Sequence, residues 1–274
     1  GNAELAEGNI DFRGDIVIHG NVESGVNIRA TGSITIDGVA EACMLEAGKD
    51  IILRGGMLGG NKASVKTKGA ITAKFFEFTN ILCEGDLQAD VLMDCSVICH
   101  GQIRLTGRKG SIIGGKVQAI RGLIATSLGN DAEKRTEIFV GAGIDVYSRL
   151  RVMEKKIETT REELAKIEEG LEKFEILSKE RGVSYTNDPR RTSLLRIKIK
   201  DSAMLASDEE EVRKLRILAE SSRGACVSVI QEIYPGVIIN MDELKLALKN
   251  MATGVEFYKL PDKIGTRPCS AGVE

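Results

Sequence analysis

The sequence has no tryptophan, four prolines, two histidines and only 4% aromatic residues in 274. A core built around rings is therefore excluded, and Ile, Val, Leu and Ala must fill the interior. A carbohydrate-cleaving groove lined by aromatics and paired carboxylates is poorly served by this composition. The two histidines, His19 and His100, stand far apart in the chain. No run of about 18 apolar residues exists, which excludes a membrane-spanning helix. Thirty-eight basic against 40 acidic side chains leave a net charge of −2, so no bulk field draws the chain to nucleic acid or to an anionic membrane. The chain begins Gly1-Asn2-Ala3 without an initiating Met. That opening reads as a tag remnant and suggests a fragment of a longer protein.

What is abundant is glycine, and it is unevenly placed. Twenty-three of the 30 glycines fall in residues 1–143, whereas 19 of the 38 residues from Asp145 to Gly182 are charged. In the glycine-rich part a short start recurs: Gly14-Asp15-Ile16, Gly32-Ser33-Ile34, Lys49-Asp50-Ile51, Gly69-Ala70-Ile71, Gly85-Asp86-Leu87, Gly101-Gln102-Ile103 and Arg121-Gly122-Leu123. Successive starts lie 18, 17, 20, 16, 16 and 20 residues apart. Alignment on them gives aliphatic columns. One runs Ile16, Ile34, Ile51, Ile71, Leu87, Ile103, Leu123, with Ile18, Ile36, Leu53, Ala73, Ala89, Leu105 and Ala125 two residues on. Another runs Ile28, Leu45, Val65, Ile81, Val97, Val117, Ile138, followed by Ala30, Ala47, Thr67, Cys83, Cys99, Ala119 and Val140.

Inward pairs at i and i+2 between glycine-rich corners are short strands with one buried face. Units of 16–20 residues are too short to hold a helix, so stacked coils of a β-helix follow. Seven coils at the strand spacing make a rod about 35 Å tall. The corner glycines are expected to supply positive φ. An eighth start is read at Ala142-Gly143-Ile144-Asp145-Val146.

From Leu150 the period changes. Leu150, Met153, Ile157, Thr160, Leu164, Ile167, Leu171, Phe174 and Ser178 alternate by three and four residues, a heptad seam. Gly182 stops that helix, and Asn187-Asp188-Pro189 starts another. Its looser seam is read as Leu194, Leu195, Ile197, Ile199, Met204, Leu205, Val212, Leu215 and Leu218, ending near Ser222. Strand character returns at Val227-Ser228-Val229 and Tyr234 to Ile239, with a last strand at Val255 to Leu260. The expected fold is mainly β: a parallel β-helix over 8–147 and 224–260, interrupted by an antiparallel coiled-coil hairpin over 148–223. Residues 1–7 and 261–274 are read as terminal segments.

Three stretches carry a family resemblance: Ala73-Lys74-Phe75-Phe76-Glu77-Phe78-Thr79-Asn80-Ile81, Thr136-Glu137-Ile138-Phe139-Val140-Gly141 and Ile233-Tyr234-Pro235-Gly236-Val237. With the charged hairpin between the last two, the chain resembles the bacterial flagellar assembly protein A family over nearly its whole length. The resemblance implies a right-handed β-helix, a projecting coiled coil and a role in placing flagellar machinery at the cell pole. It also implies contact with sugar-phosphotransferase signalling proteins and a further N-terminal domain outside this sequence. It supplies no catalytic residues.

Other constellations read as structural. Gly110-Ser111-Ile112-Ile113-Gly114-Gly115-Lys116 has the spacing of a phosphate-binding loop, but Val117 and Ala119 belong to inward columns, so a strand follows where a helix is needed. Cys95, Cys99 and His100 resemble a ligand cluster only in one dimension, because Cys99 points inward and His100 outward. Cys83 and Cys99 share one column, Cys43 and Cys95 another, and unpaired core thiols fit a cytoplasmic location. Asp86, Asp90 and Asp94 read as solvent-facing corners.

The hairpin carries 18 basic and 17 acidic residues between Asp145 and Arg223, which disfavours nucleic acid as its partner. Arg190, Arg191, Arg196 and Lys198 are the candidate partner-binding residues, facing an acidic first helix with Glu162, Glu163, Glu168, Glu169 and Glu172. The expected function is a non-enzymatic scaffold with no cofactor or metal, acting through protein partners and able to self-associate through its coiled coil. The alternatives are a left-handed hexapeptide-type acyltransferase, because Ile16, Val22, Ile28 and Ile34 fall six apart, and a filament that polymerises through open coil ends.

Overall fold

The structure, a computed structural model of the chain, describes residues 2–3, 8–107 and 109–271, without the side chains of residues 144 and 145. Residues 1–143 with 221–274 form one compact unit and residues 144–220 a second.

The first unit is a β-solenoid of about seven turns, and its strands stack in the register of the aliphatic columns. Ile16 pairs with Ile34, Ile34 with Ile51, Ile51 with Ile71, Ile71 with Leu87, Leu87 with Ile103 and Ile103 with Leu123. The second column is equally continuous, from Ile28 through Leu45, Val65, Ile81, Val97 and Val117 to Ile138. All these pairs are parallel, as successive turns of one winding require.

A third wall completes the cross-section and has no counterpart in the columns read from sequence. Val22, Ala40, Met57, Phe76, Leu92, Ile112 and Leu128 stack one above another and are fully buried. One of the buried rings, Phe76, sits here above Met57. Burying each such side chain contributes about 1.5–3 kcal/mol, so the three walls dominate the stability of the unit.

The glycines meet the sequence expectation only in part. Of those that open the coils, Gly14 and Gly122 have φ of 139° and 112°, whereas Gly32, Gly69, Gly85 and Gly101 do not have positive φ. These four are small because the coil beneath leaves no room. A Cβ on Gly101 would lie 2.7 Å from the carbonyl carbon of Gly85, and closer still to its oxygen and to Asp86 Oδ1. Under three of these openings, Gly32, Gly69 and Gly101, a carboxylate is part of the device. Asp15, Asp50 and Asp86 accept the backbone N–H of Ser33, Ala70 and Gln102 in the coil above, at 2.7, 2.7 and 2.8 Å. Asp86 is thus a solvent-facing corner that also ties two coils together.

Positive φ recurs most regularly at another corner, the one leading into the second column. There Gly25, Ala42, Phe78, Asp94, Gly114 and Gly236 have φ of 89°, 37°, 46°, 50°, 73° and 84°. Three of the six carry a side chain in a conformation that costs an L-residue about 1–2 kcal/mol.

The eighth start read at Ala142-Gly143-Ile144-Asp145-Val146 is not a strand. Helix α1 (Gly143–Arg181) begins there, directly after the strand Thr136–Val140, and is followed by α2 (Pro189–Ser221). The solenoid resumes in Cys226–Ile233, where Val227 stacks on Leu123 and Val229 on Ala125, and in Val237–Met241, where Ile239 stacks on Ile138. The hairpin is thus inserted between the seventh coil and the returning one.

The solenoid ends in antiparallel strands. Ala252–Lys259 pairs with Cys226–Ile233, Leu244–Ala247 with Val237–Met241, and Ile264–Pro268 with Ala252–Lys259. The last of these lies within the stretch read as a terminal segment. Phe257 is buried over Val227 and closes the first column. Beneath it, Glu256 accepts a hydrogen bond from Ser228 at 2.9 Å and pairs with Arg267. Both strands of the returning coil therefore carry antiparallel neighbours, which removes the parallel edge that head-to-tail polymerisation would use at this end. At the other end Ala3 is buried and paired with Val22, and Asn2 accepts the Asn21 N–H. Those two residues are seated in a coil; residues 1, 4–7, 108 and 272–274 lie outside the described residues.

Candidate functional site

The chemistry-bearing groups of the solenoid are dispersed. Gly115–Ala119 is a strand, as the inward columns require, so no helix N-terminus faces the glycine-rich stretch. Lys116 spends its charge 4.6 Å above the ring of Phe139, a cation–π contact.

Cys43, Cys83, Cys95 and Cys99 are buried. Burial pushes the thiols of Cys43 and Cys95 up to about 12 and about 11. Hydrogen bonding to Cys83, then burial, holds Cys99 protonated. Such thiols are poor nucleophiles. Exposed His19 donates from Nδ1 to Asp37 Oδ2 at 2.8 Å, and Arg54 approaches the same carboxylate at 3.0 Å. The His19 hydrogen bond, aided by Arg54, holds the Asp37 carboxyl below its usual range. Among the described residues no three His, Cys, Asp or Glu side chains gather in a group that could hold a metal ion.

The hairpin is where unused chemistry collects. On α1 the seam falls where its spacing placed it: Ile157 and Thr160 are buried, and Leu150, Met153, Leu164, Ile167, Leu171 and Phe174 are half-buried. On α2 it does so only in part: Leu194, Leu195, Leu205, Val212, Leu215 and Leu218 are covered, but Ile197, Ile199 and Met204 are 45%, 71% and 38% exposed. The covered heptad runs through Lys198, Asp201, Leu205, Asp208, Val212, Leu215, Ala219 and Ser222, which alternate by three and four. Following the largest apolar residues misread this helix, because its heptad admits charge. Asp208 is buried against Lys156 at 2.7 Å, and the Thr160 hydroxyl donates to the Lys156 carbonyl.

Five ion pairs cross between the helices: Arg149–Glu211, Glu154–Arg216, Lys156–Asp208, Arg161–Glu209 and Glu168–Lys198. They separate the four candidate residues. Lys198 is engaged by Glu168 at 2.7 Å. Arg191 is half-buried and lines a cavity of about 240 Å³ with Phe174 and Tyr185. Arg190 and Arg196 are exposed and, among the described residues, have no carboxylate partner. The Arg190 N–H donates to Asp188 Oδ1 at 2.8 Å, the N-cap of α2. Arg190, Ile197 and Met204 recur every seven residues, so a cation and two exposed apolar side chains share one helix face. The basic character of this stretch is legible in the sequence; the exposure of its isoleucines is not.

The chain is a capped β-solenoid interrupted by a charged helical hairpin. No helix among the described residues is long and apolar enough to cross a membrane. The family model described as Flagellar Assembly Protein A beta solenoid domain matches residues 1–264, and the chain belongs to that family. Its role is related to flagellar assembly, and it is not a known enzyme family. No curated protein and no solved structure matches the chain.

Proposed function

We propose that the chain is a non-enzymatic scaffold that helps place or assemble flagellar machinery in the bacterial cytoplasm by holding a protein partner on its hairpin. The observation that carries this reading is the face of α2 bearing Arg190, Ile197 and Met204, with Arg196 nearby. Five ion pairs tie the two helices together among the described residues, yet here two guanidinium groups have no carboxylate among the described residues and Ile197 and Met204 meet solvent. Arginine beside an apolar patch is the composition of an interface core, where planar, weakly hydrated guanidinium recognises carboxylate. The partner is a protein surface with carboxylates around an apolar centre, and sugar-phosphotransferase signalling proteins are the candidates to try first.

The test is co-purification from the cells that express the chain. The native chain, a chain with residues 144–220 replaced by a Gly-Ser linker, and Arg190→Glu/Arg196→Glu are compared. Loss of the same partner from both variants, with the strand circular dichroism kept, supports the reading. A partner retained by the chain without the hairpin refutes it.

A further inference from the structure

The hairpin leaves its own seam incompletely covered, since leucines such as Leu164, Leu171, Leu205 and Leu215 are only half-buried. On one side the seam opens into a groove. Nearer the helix ends that join the solenoid, a cavity of about 1060 Å³ has buried Ile157 and Val212 in its lining and Ile217, 60% exposed, beside them. Toward the loop between the helices lies the cavity of about 240 Å³ lined by Phe174, Tyr185, Lys179 and Arg191. The two lie along the same side. Glu154 and Glu175, Glu158 and Lys179, and Arg191 and Val212 are each separated by three heptads, which returns a residue to the same side of a coiled coil.

The two ends of the groove differ in charge. Five glutamates face three arginines in the near cavity, a balance of −2, while Lys179 and Arg191 face Glu175 in the far one, a balance of +1. A knob and a hole also sit at opposite ends. Ile217 follows Arg216, whose partner Glu154 marks its level along α1. End-for-end reversal about the middle of α1 brings that level to within about one turn of Phe174.

We propose that the groove is filled by the same groove of a second copy of this chain, laid antiparallel, so that two hairpins form a four-helix bundle. The negative end of each copy then lies on the positive end of the other. Ile217 of each enters the cavity beside Phe174 and Tyr185. A parallel arrangement would set like charge on like and leave both isoleucines exposed. The contact is isologous and closes at two copies. A strip about 50 Å long and 15 Å wide buries about 750 Å² on each copy, the area of a stable interface of standard size. The face bearing Arg190, Ile197 and Met204 lies on the opposite side of α2 and stays open, whereas Arg196, three heptads before Ile217, falls on the groove side, so Arg190→Glu alone separates the two contacts.

Sedimentation equilibrium of the full chain tests it. The expected result is a dimer at micromolar concentration whose dissociation constant rises at least about tenfold in Ile217→Glu, which puts a charge into an apolar pocket at each end of the contact. Ile217 is exposed, so that variant keeps its helical circular dichroism if only the contact is lost. Orientation is read with a short bis-maleimide. A mixture of Ile217→Cys and Glu175→Cys chains should cross-link to each other, beyond the level of the native chain. Each variant alone should give no product above that level. A chain monomeric at tens of micromolar, a dimer indifferent to Ile217→Glu, or cross-linking of each variant only to itself would each overturn the proposal.

Discussion

Gly101→Ala isolates the close approach that sets the coil spacing. Gly101 lies outside the positive-φ region, so alanine meets no backbone strain of its own there. The added Cβ would lie 2.7 Å from the Gly85 carbonyl carbon and nearer to the Gly85 oxygen and Asp86 Oδ1. Asp86 can swing away, but it then gives up the Gln102 N–H at 2.8 Å and Arg121 at 2.5 Å. Gly85 cannot move without dragging Gly69, which sits just as tightly below it. Overpacking of this kind costs about 1–3 kcal/mol, and the lost hydrogen bond about 1 kcal/mol. The sum, about 3 kcal/mol, lowers the melting temperature of a unit this size by about 6–12 °C. Thermal denaturation followed at the strand circular-dichroism minimum measures it. Asp86→Ala alone should cost about 1 kcal/mol, and the double variant should fall well short of the sum of the two if the carboxylate is part of the clash. A Gly101→Ala transition within a degree or two of the native one would show that the coils can separate freely, and the explanation of the glycine column would fail.

Three further outcomes are expected. Leu87→Asp places an unpaired carboxylate in a fully buried column, costs several kcal/mol and should yield insoluble or unfolded protein; a soluble chain with a cooperative melt would contradict the column alignment. Ala42→Gly relieves a φ of 37° and should raise stability by about 1 kcal/mol in urea denaturation, so an unchanged or lower midpoint counts against it. The thiols of Cys43 and Cys95 are raised on folding from an ordinary value near 9 to about 12 and about 11. Their protonated form is the one the fold prefers, so stability should be flat below pH 9 and fall as pH climbs toward those values. Urea midpoints from pH 7 to 11 read this, with Cys43→Ala/Cys95→Ala as the control that should lose much of the slope.

The two walls read from sequence were legible because their inward residues come as i, i+2 pairs at a fixed distance from a glycine. The third wall was hidden by its brevity. Ala40–Glu41 and Val91–Met93 turn only one side chain fully inward, and a single apolar residue has no period. The positive-φ corner before the second column was hidden because Ala42, Phe78 and Asp94 stand where turn chemistry would call for glycine. In the hairpin, α1 follows hydrophobic spacing faithfully, whereas α2 places Lys198, Asp201 and Asp208 in its seam and sends Ile199 outward. Arg190 and Arg196 could be picked from their sequence neighbourhood, but the loss of Lys198 to Glu168 depends on helix pairing, which no local pattern encodes.

Leu123 and Val227 are neighbours in a column, yet about a hundred residues of chain separate them. Closing so long a loop would burden the last step of folding, after every other coil had been laid on its predecessor. The hairpin shortens the journey. Once α1 and α2 have zipped, through contacts such as Arg149–Glu211 and Glu154–Arg216, their outer ends are adjacent and the loop left to close is about ten residues. The difference in closure entropy is about 2 kcal/mol. The helices, which form from local contacts in far less time than strands from distant ones, thereby act as a folding clamp for the final coil. Slow zipping would strand the solenoid without its cap, with the parallel edge of its seventh coil bare.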